Sequence, residues 1–209
     1  MKKLLVITCS ILVCTISGFT QEDERAKKVL DGVSKEMSTY STIYIEFKSS
    51  IKPEGVNSSS SGKAWIKGNQ YYYEDENAKI WNNTKFLWNL EVDEGVCYKT
   101  QADEEEGINP SKLLRIWEEG FKYQYYEKGS TTSLHAIKLF PKNPKESKYH
   151  TLIVKVNKST PKIHSMTVKT KDGMTLYYTI TKLTPNIEVG DSKFKFDPAK
   201  NPGVEVEEL

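Results

Sequence analysis

The sequence predicts a mainly β fold with two helices (α+β), in which one strongly curved antiparallel sheet carries the helices on its concave side. About ten or eleven segments alternate apolar with polar residues or are rich in aromatic and β-branched residues. The connections between these segments are short, as antiparallel strands allow. Two segments alone have apolar residues at helical spacing, and no linker or internal repeat divides the chain. These observations favour one domain with a single sheet.

The first helix is predicted over residues 23–38, because apolar residues there recur at intervals of three and four. Its apolar stripe consists of Ala26, Val29, Leu30, Val33 and Met37. Acidic residues at the start, Asp23 and Glu24 among them, suit the positive end of the helix dipole. We expect this helix to pack on the sheet, and a movable lid is the alternative.

Strands follow the first helix, beginning with alternation at residues 43–47 and a flexible loop over residues 53–61. The stretch 62–73 then predicts a β-hairpin, since Gly68-Asn69 tolerates the positive φ that a short turn needs. Its strands carry Trp65 and Ile66, then Tyr71, Tyr72 and Tyr73. So many aromatic side chains either fill a core or form the wall of an apolar cavity.

Further strands are predicted before and after a second helix. They cover residues 79–82, 85–91, 96–101, 122–127 and 133–140, then the alternating segments around Val154, Val168 and Leu176. The second helix is expected to begin at Asn109 as its N-cap, with Pro110 in its first turn. Its apolar stripe is Leu113, Leu114, Trp117 and Phe121, and Gly120 is expected to end it.

The N-terminus has the pattern of a secretory signal peptide, with lysines, a short apolar run and small residues over residues 1–20. The mature domain would then be residues 21–209. Removing residues 1–20 lowers the Lys+Arg count from 30 to 28, equal to the 28 Asp+Glu. A neutral mature chain argues against nucleic-acid binding, which needs a basic surface. Cys97 alone would remain, so no intrachain disulfide could form.

Catalysis has little support in the sequence. His135, His150 and His164 lie on separate strands without metal-ligand spacing. The chain has no Gly-x-Ser-x-Gly elbow and no His-Glu-x-x-His helix. Cys97 lies in a strand without a catalytic-cysteine signature and is expected to pack in the core. The sequence therefore predicts a protein that is not an enzyme, with no cofactor and no metal site.

An ordered series of segments resembles a known family. After the signal peptide and first helix come Gly-Lys-Ala-Trp-Ile-Lys at residues 62–67, Trp88, Asn-Pro-Ser-Lys-Leu-Leu at residues 109–114, and Phe-Lys-Phe-Asp at residues 194–197 before Pro-Gly-Val-Glu-Val at residues 202–206. This series resembles the outer-membrane lipoprotein carrier family, LolA, in a Bacteroidetes-like version. The likeness spans essentially the whole mature chain.

The resemblance implies an incomplete β-barrel covered by a helical lid. It further implies a periplasmic carrier that holds the acyl chains of lipoproteins and moves them from the inner to the outer membrane. The implied partners are an inner-membrane ABC-type lipoprotein release complex and, where one is present, an outer-membrane acceptor. Such a carrier is expected to act as a monomer. The alternative is an envelope-stress sensor, or a structural or interaction protein of the same fold, that binds a lipid or protein partner on its concave face. A hydrolase that acts on lipids is a third option.

One departure from the resemblance concerns the lid. Gly68-Asn69 stands where the family has Arg-Pro, and that arginine is thought to latch the lid to the barrel. Gly68 cannot make the hydrogen bonds of an arginine. We therefore expect closure to depend on the apolar residues around Leu113 and Trp117.

A carrier of this kind requires an apolar cavity, because burying one methylene is worth about 0.8 kcal/mol and a chain of about fifteen represents on the order of 12 kcal/mol. Each apolar residue alone would be read as core, but together, on a sheet with few covering helices, they favour a cavity. The predicted lipid-binding residues are Ile43, Ile45, Phe47, Trp65, Tyr71, Tyr73, Phe86, Trp88, Leu90, Leu113, Leu114, Trp117, Leu152, Val154, Met166, Leu176 and Ile180.

Overall fold

A computed structural model describes residues 23–52, 58–104 and 109–209. The predicted signal peptide lies outside the described residues, as does most of the loop predicted at residues 53–61. The helices in these ranges are α1, Glu24–Met37, and α2, Pro110–Leu113. The strands are β1 Ile43–Lys52, β2 Ser58–Lys67, β3 Gln70–Glu74, β4 Ala78–Asn82, β5 Phe86–Glu91, β6 Val96–Gln101, β7 Phe121–Tyr125, β8 Leu134–Pro141, β9 Tyr149–Asn157, β10 Ile163–Thr170, β11 Thr175–Pro185 and β12 Glu205–Glu208.

All the described strands belong to one sheet of 12 strands, in the order β12-β6-β5-β4-β3-β2-β1-β11-β10-β9-β8-β7. Every neighbouring pair is antiparallel except β12 with β6, which is parallel. The two ends of the order do not pair with each other, so the sheet is not closed into a barrel. The predicted class, a mainly β fold built on one antiparallel sheet, is confirmed. The strand beyond the predicted ten or eleven is β12, which is exposed throughout and shows no apolar alternation.

Helix α1 confirms the first predicted helix to within a residue at each end. Its N-cap is Asp23, whose Oδ1 accepts the N–H groups of Arg25 and Ala26 at 3.0 Å. The other oxygen, Oδ2, accepts the Tyr125 N–H of the edge strand β7 at 2.8 Å. The N-cap therefore also joins the start of α1 to the sheet edge.

The second predicted helix begins as expected but is much shorter. Asn109 caps it by accepting the N–H groups of Ser111 and Lys112, and Pro110 is its first residue. Beyond Leu113 the backbone continues in turns closed by i→i+3 hydrogen bonds, such as Arg115 N–H to the Lys112 carbonyl at 3.1 Å. The prediction of a helix to Gly120 was therefore wrong, and Phe121 opens β7 instead of completing a helical stripe.

The two faces of the sheet carry separate cores. We call the face that carries Ile45, Tyr71 and Leu152 the inner face, and the opposite face, with Trp65 and Trp88, the outer face. The apolar stripe of α1 packs into the inner core, where Leu30 and Val33 are almost fully buried. Among the described residues this core is the larger of the two, and burial of its apolar side chains stabilises the fold.

The outer core is covered by the C-terminal segment. Phe194, fully buried, and Phe196 pack among the outer-face aromatics of β2 to β5. The rings of Trp65, Tyr72 and Trp81 form a ladder with centroid distances of 5.4 and 5.2 Å, and Phe196 meets Trp81 edge-on at 5.3 Å. These contacts attach residues 194–196 to the outer face.

Lys193 adds a charged contact to the outer core. Its Nζ lies 3.8 Å from the centroid of the Trp65 ring and 4.0 Å from that of Tyr72, which is cation–π geometry. Burial among these rings lowers the pKa of the Lys193 ammonium group.

Position 62 requires a glycine, because the Phe47 ring approaches its backbone closely on the inner face. It lies opposite Phe47 in the β1–β2 pairing, and a Cβ here would come within 2.4 Å of the Phe47 ring and 2.8 Å of the Glu74 carbonyl oxygen. We predict that Gly62→Ala destabilises the fold by about 1–3 kcal/mol through overpacking. Thermal unfolding of the variant and the unaltered protein measures this loss of stability.

The control for that substitution is Gly190→Ala. Gly190 has a φ of −81°, and an added Cβ would meet nothing closer than 3.8 Å. We expect this control to change stability by less than about 0.5 kcal/mol. Equal losses in the two variants would show that the Phe47–Gly62 approach has no special cost.

Candidate functional site: an apolar cavity on the inner face

A cavity of about 320 Å³ lies on the inner face, between the sheet and the segment that begins with α2. Strands β1 to β4, β10 and β11 form its walls. Its lining residues are Ile45, Phe47, Ala64, Tyr73, Ala78, Ile80, Pro110, Leu113, Leu114, Ile163, Met166, Tyr178 and Ile180. Apart from two phenol hydroxyls, these side chains are hydrocarbon or thioether. The cavity can therefore hold an apolar group.

Strand register explains why these residues converge. Ile45 lies opposite Ala64 across the β1–β2 pair, and Tyr73 lies opposite both Ala64 and Ile80. On the other side of β1, Phe47 pairs with Ile180 after a bulge. Ala64 leaves open the volume that a larger side chain would fill. Small residues in the middle of a wall thus create the space, and large residues around them enclose it.

One part of the cavity is polar. The Tyr73 hydroxyl donates to Asp75 Oδ2 at 2.6 Å, and the Phe47 ring stacks on Tyr73 and meets Tyr178 edge-on, at centroid distances of 5.5 and 6.3 Å. Burial, followed by the charge of Asp75, raises the pKa of Tyr178 to about 12. Burial and the same carboxylate also raise the pKa of Tyr73. Both phenols are therefore protonated at neutral pH.

Helix α2 lies over β2 and β3 and opens the segment of residues 110–117, which we call the covering segment. Leu113 is half-buried and Leu114 buried, and both line the cavity. Farther along, the Trp117 Nε1–H donates to Ser34 Oγ of α1 at 3.0 Å, and the Trp117 ring lies in the inner core. The segment is thus anchored to α1 at one end and contributes apolar side chains to the cavity at the other.

The predicted lipid-binding residues fall into three groups. Seven line the cavity: Ile45, Phe47, Tyr73, Leu113, Leu114, Met166 and Ile180. Six lie in or against the inner core without lining it: Ile43, Tyr71, Trp117, Leu152, Val154 and Leu176. Four lie in or against the outer core: Trp65, Phe86, Trp88 and Leu90.

The four outer-core residues do not share a wall with the other predicted residues, because strand register places them on the opposite face of the sheet. Trp65 pairs with Tyr72, and Tyr72 pairs with Trp81, so these rings share the outer face. Successive residues of a strand point to opposite faces, which puts Tyr71 and Tyr73 on the inner face. The outer-core residues therefore lie across the sheet from the cavity.

Six residues that line the cavity were not among the predicted lipid-binding residues: Ala64, Ala78, Ile80, Pro110, Ile163 and Tyr178. Ala64, Ala78 and Pro110 are small or cyclic. The prediction relied on large apolar side chains, which do not mark the residues that leave space between them. Ile80 could have been found from the hairpin alternation, since it directly faces Tyr73.

Gly68, where the resemblance places the latch arginine, lies beside the covering segment. It has a φ of +58°, and with Ser111, Leu114 and Arg115 it lines a small separate cavity of about 60 Å³. The turn residue thus has the left-handed backbone predicted for it. Arg115 forms an ion pair with Glu118 at 3.1 Å.

Nucleophilic and metal chemistry find little support among the described residues. Cys97 is fully buried, and burial raises the pKa of its thiol to about 11, which disfavours the reactive thiolate. His135 is hydrogen-bonded to Tyr125, 2.8 Å from its hydroxyl. No group of three or more His, Cys, Asp or Glu side chains in the described ranges could hold a metal ion. No helix there is long and apolar enough to cross a membrane.

Several solved structures are similar to the fold of this chain at low sequence identity. An uncharacterized conserved protein from Thermus thermophilus has a TM-score of 0.55 at 10% identity, covering 88% of this chain and 99% of that chain. A DUF1329 family protein from Desulfovibrio piger has a TM-score of 0.50 at 14% identity, with coverages of 84% and 98%. A LolA superfamily protein from Nitrosomonas europaea has a TM-score of 0.45 at 9% identity, with coverages of 82% and 97%.

Comparison of the sequence with protein families gives a more direct assignment. No curated protein matches the chain. The family model described as outer membrane lipoprotein carrier protein LolA matches residues 16–177, which is most of the sequence. The chain therefore belongs to the LolA family of outer membrane lipoprotein carrier proteins.

Proposed function

We propose that this protein is a periplasmic carrier that binds the acyl chains of lipoproteins in the inner-face cavity and moves them from the inner to the outer membrane. The observation that carries the proposal is the cavity of about 320 Å³, walled by apolar side chains on a sheet that does not close. Family membership supports the same role. The predicted signal peptide would deliver the chain to the periplasm.

The physical requirements of a carrier agree with this cavity. Acyl chains leave a membrane only when another apolar environment receives them, because each exposed methylene costs about 0.8 kcal/mol in water. The cavity supplies apolar contacts with few directional bonds. Binding of that kind is reversible, since no covalent bond has to be broken for release. The role needs no catalysis, and we propose that the protein is not an enzyme.

We propose that residues 110–117 act as the lid. The segment has a single helical turn, and its contacts with the cavity are the apolar side chains of Pro110, Leu113 and Leu114. Apolar contacts can be exchanged for contacts with an acyl chain at little cost in free energy. We propose Trp117, whose indole N–H donates to Ser34 Oγ of α1, as the fixed end of the lid.

The proposed partners follow from the transfer of lipoproteins between the inner and outer membranes. A lipoprotein must be passed to the carrier by an inner-membrane ABC-type release complex and taken up at the outer membrane, by an acceptor where one is present. The carrier is proposed to do this as a monomer.

A release assay tests the proposal. The mature protein is incubated with energised inner-membrane vesicles that contain lipoproteins and the release complex, and the soluble fraction is assayed for lipoprotein bound to the protein. We expect soluble, stoichiometric complexes. The control is the same lipoprotein with its lipidated cysteine replaced by serine, which should form none. If lipoproteins stay in the vesicles and neutral acyl probes do not bind the purified protein, the carrier proposal is wrong.

A further inference from the structure

We propose that Asp75, Tyr73 and Tyr178 form a subsite that selects acyl chains whose head is a neutral ester or amide and rejects free fatty acids. This inference rests on the proposed function, since it concerns the head of the ligand whose chain fills the cavity. We call these three residues the head subsite.

The geometry of Asp75 is fixed by three hydrogen bonds. Its Oδ1 accepts the N–H groups of Asn77 and Ala78, both at 2.9 Å, in the turn between β3 and β4. Its Oδ2 accepts the Tyr73 hydroxyl at 2.6 Å. Tyr73 and Ala78 both line the cavity. The Asp75 carboxylate is therefore held in place beside the apolar cavity, because two of its three hydrogen-bond donors line that cavity.

Tyr178 supplies a donor. Its ring lines the cavity and lies edge-on to Phe47, and its hydroxyl makes no hydrogen bond to any residue of the described ranges. A protonated phenol can donate to the carbonyl oxygen of an ester or amide. Tyr73 already donates to Asp75, so Tyr178 is the phenol whose donor remains for a ligand.

The charges around the cavity discriminate between head groups. Its lining has no basic side chain in the described part of the chain. Asp75 does border a polar groove with Lys48, Lys63 and Lys79, but Glu46 and Glu74 lie in the same groove. With Asp75 included, the groove carries three bases and three acids. Asp75 itself does not line the cavity, but it is hydrogen-bonded to Tyr73 and Ala78, which do. A fatty-acid carboxylate held beside Tyr73 and Tyr178 would be repelled by the Asp75 charge with no cation in the cavity to offset it, and a neutral head would not.

The inference can be tested on the unaltered protein with twelve-carbon ligands that differ only in their heads. Dodecanoate, its methyl ester and dodecylammonium are titrated at pH 8 against a bound neutral fluorescent probe, N-phenyl-1-naphthylamine. Apolar walls alone would penalise the anion and the cation alike. The head subsite predicts that dodecylammonium binds at least tenfold more tightly than dodecanoate, and that the ester also binds more tightly than dodecanoate.

Two variants locate the effect. Asp75→Asn keeps an oxygen for the turn and removes the charge, and it should strengthen dodecanoate binding about tenfold with the ester changed less than twofold. Tyr178→Phe should weaken ester binding about fivefold, within the range for one lost hydrogen bond. The matched controls are Asp191→Asn, a carboxylate paired with Lys67 outside the cavity, and Tyr177→Phe, the exposed neighbour on the opposite face.

The outcomes separate this inference from the proposed function. If the ester and ammonium ligands bind but dodecanoate binds equally well, the head subsite is wrong and the carrier proposal stands. An unchanged dodecanoate affinity in folded Asp75→Asn, or an unchanged ester affinity in Tyr178→Phe, also overturns it. If none of the three ligands displaces the probe, both the carrier proposal and the head subsite fail.

Discussion

Ile180→Asp is expected to reduce the release of lipoproteins from membrane vesicles at least tenfold while the protein remains folded. Ile180 lines the cavity and is only half-buried, so a carboxylate there can stay hydrated while the cavity is empty. An acyl chain that enters would cover the charge and strip its water. Roughly 2 kcal/mol or more of that desolvation penalty would oppose binding, which is more than a tenfold loss of affinity.

The control for this prediction is the next residue of the same strand. Thr179 lies one position before Ile180 in β11 and pairs with Lys48 and Ser165 on the outer face. Thr179→Asp adds the same charge within one residue of the cavity wall but on the other side of the sheet. We expect nearly normal release from this control. Equal losses in both variants would show that general charge, and not occupation of the cavity, causes the defect.

The comparison of Ile180 with Thr179 depends on strand register, which the sequence specifies only in part. Alternation within one strand correctly groups Ile43, Ile45 and Phe47 on a single face. In the hairpin, however, Tyr71, Tyr72 and Tyr73 are three equally apolar residues in a row. Their face follows from pairing, which puts Tyr72 opposite Trp65. Pairing depends on turns and tertiary packing that one strand does not encode.

Strands β2 to β5 are apolar on both faces of the sheet, which made the cavity wall hard to identify from the sequence. A sheet with one buried face shows clean alternation, whereas strands covered on both faces are apolar almost continuously. In β5, Trp88 and Leu90 pack in the outer core, and Leu87 packs against the inner one. The sequence predicted most of the described strands in their order along the chain. It did not predict a second apolar layer, because Phe194 and Phe196 lie in a segment with no regular periodicity.

The covering segment shows a different limit of prediction. The capping signal of Asn109 and Pro110 was confirmed, because it depends on local hydrogen bonds alone. The apolar spacing of Leu113, Leu114 and Trp117 suits a helix, yet the chain leaves helical geometry after one turn. Leu114 and Trp117 are both buried, and Trp117 also bonds Ser34. Tertiary contacts of this kind override local propensity, and a short helix has little cooperativity to resist them.

Phe194→Ala is expected to lower the free energy of unfolding by about 3–5 kcal/mol, the usual cost of removing a buried phenylalanine ring. Phe194 is fully buried in the outer core, beside the aromatic ladder of the hairpin. A loss of this size is a large part of the 5–15 kcal/mol typical of a domain. Urea denaturation followed by tryptophan fluorescence measures it. Val206→Ala, at an exposed position of β12, should change stability by less than about 0.5 kcal/mol.

The same variant tests whether the two faces act independently. The cavity lining has no residue in common with the outer core, so folded Phe194→Ala protein should bind a neutral acyl probe within about twofold of the unaltered chain. Ile180→Asp should do the reverse, with weak binding and nearly normal stability. If Phe194→Ala instead weakened acyl binding tenfold while still folded, the C-terminal segment would have to shape the cavity through the sheet. A stability loss below about 1 kcal/mol would show that the outer core contributes little.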